Sequence, residues 1–175
     1  MRAEAKTPEQ VEALRAFAQT MRDPAKYSLL VTLTYRLGLR PVELAQLELE
    51  QFRDGGLRIQ AGHTKGKLAS RTIPVPASVL AEVHAFMQGR RGRVFQNRYG
   101  EDMDAAAITK ALKRFYSEAG QTGSSYCGRR TLLTSLVEQD VNILVVQGIA
   151  GHRSPLTTMS YVGVTQQMMA RALGA

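Results

Sequence analysis

The feature that most constrains the fold is a short region in which the spacing of apolar residues changes from helical to alternating. Residues 57–60 and 71–75 alternate between apolar and polar side chains, as strands with one buried face do. A Gly- and Lys-rich turn at 62–67 separates them, so they are predicted to pair as an antiparallel hairpin. Elsewhere the apolar spacing is helical. The sequence therefore predicts a mostly α chain with a small antiparallel β-sheet, the α+β class.

Prolines and capping residues mark where the helices begin. Thr7, Pro8 and Gln10 have the pattern of a capping box at the start of the first helix. Pro41 suits the first turn of a third helix and keeps the residue before it out of the helical conformation. Arg40 is therefore predicted at a bend between two helices. Helices are predicted at about 8–21, 24–37, 41–47, 77–87, 104–119, 129–139, 143–149, 156–161 and 166–173.

The charge balance indicates a polyanionic partner. The 175 residues, enough for one domain, include 23 Lys and Arg against 15 Asp and Glu, which gives a formal charge of +8. Basic side chains that neutralise phosphates release condensed counterions, so such an excess favours nucleic acid binding. A basic protein without that partner is the alternative.

Other features argue against several kinds of chemistry. Cys127 is the only cysteine, so a disulfide framework is excluded and a reducing compartment is favoured. There is neither a membrane-length apolar run nor a signal-like start, and a cytoplasmic protein is expected. The three histidines are scattered, and Asp104, in the one acidic cluster, is interpreted as a helix cap rather than a metal ligand. No metal or cofactor is predicted.

The remaining candidates are basic and hydroxyl residues at predicted chain bends. A lone arginine is usually a solvated surface group, and a lone tyrosine near a helix end usually packs. Their joint occurrence in this order is more informative than any one of them. In chain order they are Arg40, Lys65, Tyr126, Arg129, His152 and Tyr161.

Together these residues resemble the tyrosine recombinase (phage integrase) family over residues 7–175. The family's first box, Gly-Leu-Arg-x-x-Glu-Leu, is matched letter for letter from Gly38 to Leu44. Its catalytic lysine lies on a hairpin turn before an Arg-x-x-Pro strand, as Lys65 lies before Arg71–Pro74. Its Gly-His box and the tyrosine nine residues beyond the histidine are matched by Gly151-His152 and Tyr161. The resemblance implies the tyrosine recombinase catalytic-domain fold.

The resemblance also implies a site-specific DNA recombinase that cleaves and rejoins DNA without a cofactor. Tyr161 would attack phosphorus and form a 3′-phosphotyrosine, which conserves the bond energy for rejoining. Arg40 and Arg129 would bind the non-bridging phosphate oxygens, where charge develops in the transition state.

Three further roles follow from the same resemblance. Lys65, or Lys67 beside it, would protonate the leaving 5′-hydroxyl. His152 would bond a phosphate oxygen or help to take the tyrosyl proton. Glu43, one helical turn after Arg40, would orient that guanidinium.

Two departures from the family pattern leave alternatives open. Tyr126 occupies the first histidine position of the His-x-x-Arg box, and a phenol can donate a hydrogen bond but carries no positive charge. The expected organisation is a single catalytic domain over 1–175 without a separate N-terminal core-binding domain. That matches either short relatives such as the fimbrial phase-variation invertases or a fragment. The rival functions are a non-catalytic DNA-binding or regulatory remnant of the fold and a type IB topoisomerase.

Double-stranded DNA and a second copy of the chain are the expected partners. On the helix at 104–119 the basic residues lie largely off the apolar stripe, so this helix either faces a DNA groove or has a solvated basic face. The helix at 166–173 either docks onto a neighbouring protomer of a tetrameric synapse or packs on its own domain. The predicted DNA-binding residues are Lys67, Lys110, Lys113, Arg114, Arg130 and Arg153.

Overall fold

The computed structural model describes residues 4–60, 70–161 and 173–174. In these residues a series of helices is interrupted once by a small antiparallel sheet, which confirms the predicted α+β class. In chain order the elements are α1 (Pro8–Ala18), α2 (Pro24–Arg36), α3 (Pro41–Ala45), a 3-10 turn (Leu49–Gln51), β1 (Phe52–Arg53), β2 (Gly56–Ile59), β3 (Arg71–Pro74), α4 (Ala77–Met87), α5 (Ala105–Glu118), α6 (Cys127–Glu138), α7 (Ile143–Ala150) and α8 (Pro155–Met159).

The predicted caps of α1 and α5 are present. The backbone N–H of Gln10 donates to Thr7 Oγ1 at 3.3 Å, and the Thr7 N–H donates to Gln10 Oε1 at 3.0 Å, which completes the capping box. Asp104 Oδ1 accepts from the Ala107 N–H at 2.7 Å. These side chains satisfy amides that the first turn of a helix leaves without an intrahelical partner.

The sheet has the strand order β1-β2-β3, with both pairings antiparallel. Leu57 lies opposite Ile73, and Ile59 lies opposite Arg71. Leu57, Ile59 and Ile73 are buried, as the alternation predicts. Strand β1 was not predicted, because two residues are too few to display a period.

Helix α2 lies in the core and brings two distant parts of the chain together. It packs against α1, α4 and α6. Its approach to α6 is close at Gly128, where a Cβ would lie 2.7 Å from Thr34 Cβ, so a larger side chain would force the helices apart. This contact holds the C-terminal end of α2, from which the chain continues to Arg40, near the N-terminal half of α6, which carries Arg129.

Helix α6 begins two residues before the predicted start at Arg129. Its first i to i−4 hydrogen bond joins the Arg130 N–H to the Tyr126 carbonyl at 2.9 Å, so the helix begins at Cys127. Cys127 and Gly128 are buried against neighbouring helices, and this packing extends the helix beyond what its own sequence indicates.

A smaller apolar cluster supports the C-terminal part of the chain. Leu133 and Val137 of α6 pack with Val146 and Ala150 of α7, and Tyr161 contacts this cluster. Across the described residues, every helix is too short or too polar to cross a membrane. Residues 166–172 of the predicted C-terminal helix and the turn at 62–67 lie outside the described residues.

Candidate active site

Arg40 occupies the bend between α2 and α3, as predicted. Its extended backbone, with φ −81° and ψ 156°, precedes Pro41 at the start of α3. Its Nη1 donates to Glu43 Oε1 at 2.8 Å, and its backbone N–H donates to Glu43 Oε2 at 2.8 Å. One buried carboxylate therefore fixes both the backbone and the guanidinium of Arg40.

The same carboxylate binds a second arginine, Arg71, at the start of β3. Arg71 Nη1 donates to Glu43 Oε1 at 2.8 Å, and its Nη2 donates to Oε2 at 3.2 Å. Its Nε donates to the Ile149 carbonyl in α7 at 2.9 Å. Burial acts to raise the pKa of Glu43, but the hydrogen bonds and charges of Arg71 and Arg40 outweigh it and lower that pKa. The carboxylate stays ionised.

Sequence reasoning used Arg71 only as part of a motif and did not predict its place in this site. A signal was nevertheless present. Arg71 is two residues before the buried Ile73 and therefore on the same face of the strand. A charged residue on a core-facing position requires a partner.

Arg129 is almost completely buried, with 3% of its surface exposed. Its Nη1 donates to the Gly38 carbonyl at 2.8 Å, and its Nη2 donates to the Ala150 carbonyl at 2.7 Å. Burial, and then the charge of Arg40, lower its pKa to about 10, so it stays charged at neutral pH. The guanidinium thus links the end of α2 to the end of α7.

His152 lies two residues after the end of α7, and its ring is held from both sides. Arg129 Nη2 lies 3.0 Å from His152 Nε2, and Thr158 Oγ1 lies 2.9 Å from Nδ1. Because a guanidinium only donates, Nε2 is the acceptor and the ring proton is on Nδ1. Burial, and then the charges of Arg129 and Arg40, lower the pKa of His152 to about 4. The ring is therefore neutral at physiological pH.

Tyr161 stacks on this histidine. The two ring centroids are 5.9 Å apart and the planes are inclined by 17°. The guanidinium carbon of Arg130 lies 5.3 Å from the centroid of the Tyr161 ring, and the Tyr161 N–H donates to the Thr158 carbonyl at 3.0 Å. The fold thus brings Tyr161, His152 and Arg129 together, although Arg129 and Tyr161 are 32 positions apart in the sequence.

Comparison with known proteins shows which family this chain belongs to. The sequence profile described as "Phage integrase family" matches residues 5–168, which is nearly the whole chain. The chain belongs to the phage integrase family. The resemblance that the sequence boxes indicate is confirmed.

Named phage integrase family relatives are longer than this chain. The tyrosine recombinase XerA of Pyrococcus furiosus is 29% identical over 160 residues, which cover 87% of this chain and 55% of the relative. The tyrosine recombinase XerC 2 of Ralstonia nicotianae is 27% identical, with 90% of this chain and 48% of the relative covered. The chain thus spans about half the length of the curated relatives it matches.

A solved structure of similar length supports the integrase fold. The catalytic domain of bacteriophage HP1 integrase is 20% identical and has a TM-score of 0.76, with 99% of this chain and 95% of that chain covered. The predicted catalytic-domain fold is therefore confirmed.

The other predicted site residues are not all in this cluster. Lys65 and Lys67 lie outside the described residues, although β2 and β3 pair on either side of their turn as predicted. Tyr126 is the N-cap residue of α6, but its side chain makes no capping hydrogen bond and the residue is 49% exposed. Arg153 is exposed.

Basic side chains also line a groove of about 820 Å³ between the start of α2, the loop before α5 and α5 itself. The exposed ring of Tyr99 is part of its wall, and Asp23 is the acidic member. Of the predicted DNA-binding residues on α5, Lys113 is not part of this lining. The basic members are Arg22, Lys26, Arg98, Lys110 and Arg114.

Proposed function

We propose that this chain is the catalytic part of a site-specific DNA recombinase that uses Tyr161 as the nucleophile. The observation that carries the proposal is the continuous contact from Tyr161 through His152 to Arg129. A tyrosine beside a neutral histidine and a buried guanidinium has the groups that phosphodiester cleavage requires: a nucleophile, a proton acceptor and a cation for the phosphate.

Arg40 and Arg129 bind the non-bridging oxygens of the scissile phosphate in this proposal. The Arg129 guanidinium has about five N–H donors. Three of them contact the Gly38 carbonyl, the Ala150 carbonyl and His152 Nε2. The remaining donors are available to a phosphate oxygen. Rigid charged donors aimed at developing negative charge contribute strongly to catalysis, because they need no reorganisation during the reaction.

The reaction is a transesterification. The Tyr161 Oη forms a bond to phosphorus as the bond from phosphorus to the 5′-oxygen breaks, and a 3′-phosphotyrosine and a free 5′-hydroxyl result. The leaving 5′-oxygen takes a proton from Lys65 or Lys67. When a phosphate oxygen takes the Nη2 donor of Arg129, Nε2 of His152 becomes free to accept the tyrosyl proton. Attack by a 5′-hydroxyl reverses the step and reseals the strand.

Double-stranded DNA beyond the scissile phosphate contacts the basic groove at the other end of α2. The 13 residues of α2 rise about 20 Å; the groove lies at its N-terminal end, and Arg40 follows its C-terminal end. That separation corresponds to about six base pairs at 3.4 Å each. The solved complex of the Tn1549 transposon integrase with a circular intermediate DNA supports DNA as the partner; it is 18% identical, with a TM-score of 0.84 over 99% of this chain and 66% of that chain.

Self-association on DNA is part of the same proposal. Apolar side chains on α7 and α8 are exposed, at 64% for Leu144, 51% for Val145, 75% for Leu156 and 54% for Met159. Such a surface favours contact with another apolar segment. The segment at 166–173 of a neighbouring protomer, predicted from the sequence to be helical, is the expected occupant within a tetrameric synapse.

The first test is covalent trapping on nicked duplex DNA taken from the sequence surrounding the chain's own gene. The wild-type chain should form an adduct that survives a denaturing gel, and Tyr161→Phe should abolish it while binding persists. Tyr126→Phe is the matched control and should retain the adduct. DNA binding without an adduct in any variant would support the remnant function, which the exposed Tyr126 in place of a histidine favours. Relaxation of supercoiled DNA without strand exchange would support a topoisomerase.

A further inference from the structure

Arg71 contacts two different parts of the candidate site, yet the reaction proposed above gives it no role. Its side chain, at the start of β3, is 8% exposed, and its guanidinium meets both carboxylate oxygens of Glu43 and the carbonyl of Ile149. In the sequence it lies four positions after Lys67.

The first consequence is electrostatic. Glu43 Oε1 accepts from Arg40 and from Arg71, each at 2.8 Å. With two guanidinium groups on one carboxylate, the three side chains have a net charge of +1. Without Arg71, the carboxylate would cancel the charge of Arg40. In a buried site such a change acts with little solvent screening.

The second consequence is geometric. Arg71 takes the carbonyl of Ile149, and Arg129 takes the carbonyl of Ala150, so two arginines hold consecutive carbonyls at the C-terminal end of α7. Cations at this end of a helix are favourable. Gly151 leaves the space that Arg71 needs, since a Cβ there would lie 2.7 Å from Arg71 Nη1. The next residue is His152.

We propose that Arg71 is a positioning residue for phosphodiester cleavage, acting through two neighbours without touching the DNA. It binds Glu43 so that Arg40 keeps its orientation and the Arg40–Glu43–Arg71 group keeps its net positive charge. It also anchors the end of α7 so that His152 meets Arg129. This role rests on the proposed function.

The test compares Arg71→Gln and Arg71→Lys with Arg58→Gln, an exposed arginine on the adjacent strand β2. Cleavage is measured in a single turnover at saturating nicked DNA, and DNA affinity and thermal unfolding are measured in parallel. By analogy with residues that orient metal ligands, Arg71→Gln should slow cleavage about 10- to 100-fold at nearly unchanged Kd. Arg71→Lys should recover part of the rate, because it restores the charge but not the fork. Arg58→Gln should cleave at the wild-type rate.

A neutral substrate separates positioning from general destabilisation. When a methylphosphonate replaces the scissile phosphate, one charged oxygen becomes a methyl group, and the demand on Arg40 falls. The slowing caused by Arg71→Gln should then shrink. Equal slowing on both substrates, a loss confined to Kd, or a rate equal to that of Arg58→Gln would overturn the proposal.

A measurement on the DNA-free protein does not depend on activity. In the wild-type chain, nitrogen NMR of the His152 ring should give one tautomer, with the proton on Nδ1. Arg71→Gln should mix the tautomers while the thermal unfolding transition stays cooperative. An unchanged ring signal would show that Arg71 does not position His152. A wild-type chain that forms no adduct would reject the proposed function, and the ring signal would still decide this inference.

Discussion

Arg129 donates through Nη2 to His152 Nε2 at 3.0 Å. This contact holds the imidazole as a neutral hydrogen-bond acceptor in the DNA-free protein. Protonation would turn an N–H of the ring toward an N–H of the guanidinium, and the two like charges would repel. Arg129 thus favours the neutral form of His152, which can later accept a proton. The scissile phosphate would compete with His152 for the Arg129 guanidinium.

This relationship predicts a pH-dependent stability. The pKa of His152 is about 4 in the folded chain and about 6.5 in the unfolded chain, so between these values the unfolded state binds more protons. The free energy of unfolding should therefore rise as the pH increases from about 4 to about 6.5, and this contribution should be constant above that range.

Urea unfolding at a series of pH values checks this expectation. His152→Gln should flatten the part of the profile between pH about 4 and 6.5, because it removes the group that titrates there. His84→Gln is the matched control, since His84 is an exposed histidine on α4, and it should leave the profile unchanged. Identical profiles for wild type and His152→Gln would contradict the lowered pKa.

The geometry of Arg129 predicts that lysine cannot replace it. Its fork reaches two carbonyls from different helix ends, and a single ammonium cannot reproduce that arrangement. Arg129→Lys should lower the single-turnover cleavage rate by about 10²–10³, comparable to the loss of an oxyanion donor.

Arg130→Lys is the adjacent control for this substitution. It retains a cation over the Tyr161 ring and should have a much smaller effect on cleavage. Thermal unfolding of both variants tests whether the fold is retained. An Arg129→Lys chain that cleaves DNA at the wild-type rate would contradict the proposed contact between the Arg129 guanidinium and the non-bridging phosphate oxygens.

Which lysine of the predicted turn at 62–67 acts as the general acid can be determined with a modified leaving group. Lys65→Ala should slow cleavage of ordinary DNA but have much less effect on DNA with a 5′-bridging phosphorothiolate, whose thiolate leaves without a proton. Lys67→Ala is the comparison. If only the slowing caused by Lys67→Ala is smaller on the phosphorothiolate substrate, Lys67 is the general acid. If each variant slows cleavage of both substrates equally, the general acid is another group.

Local signals in the sequence predict much of the fold and part of the site. Thr7 and Gln10 lie within one helical turn, and Arg40 directly precedes a proline, so short-range sterics and capping determine their structure. The hairpin follows from alternation over a few residues. In contrast, Arg71 meets Glu43 and Ile149 across 28 and 78 positions. Pairing at such separations depends on the packing of α3, β3 and α7, which no local pattern encodes.

The groove predicts different roles for two lysines on the same helix. Lys110 lines the groove with Arg22 and Arg98, whereas Lys113 is also exposed but is not part of the lining. If DNA phosphates occupy the groove, only the first of these lysines releases counterions on binding. The sequence predicts only that the basic residues of the helix at 104–119 lie largely off its apolar stripe, and the structure includes Lys110 but not Lys113 in the groove lining.

The salt dependence of duplex binding distinguishes these lysines. In a plot of log K against log salt concentration, each phosphate contact contributes about 0.9 to the slope. Lys110→Gln should reduce the slope by about that amount and weaken binding at low salt, whereas Lys113→Gln should leave the slope unchanged. Both substitutions remove one charge from the same exposed helix, so net charge cannot explain a difference. Trimming the duplex to fewer than about six base pairs on one side of the scissile phosphate should remove the effect of Lys110→Gln, because the shorter duplex no longer reaches the groove. Equal slopes for the two variants would instead indicate a solvated basic face.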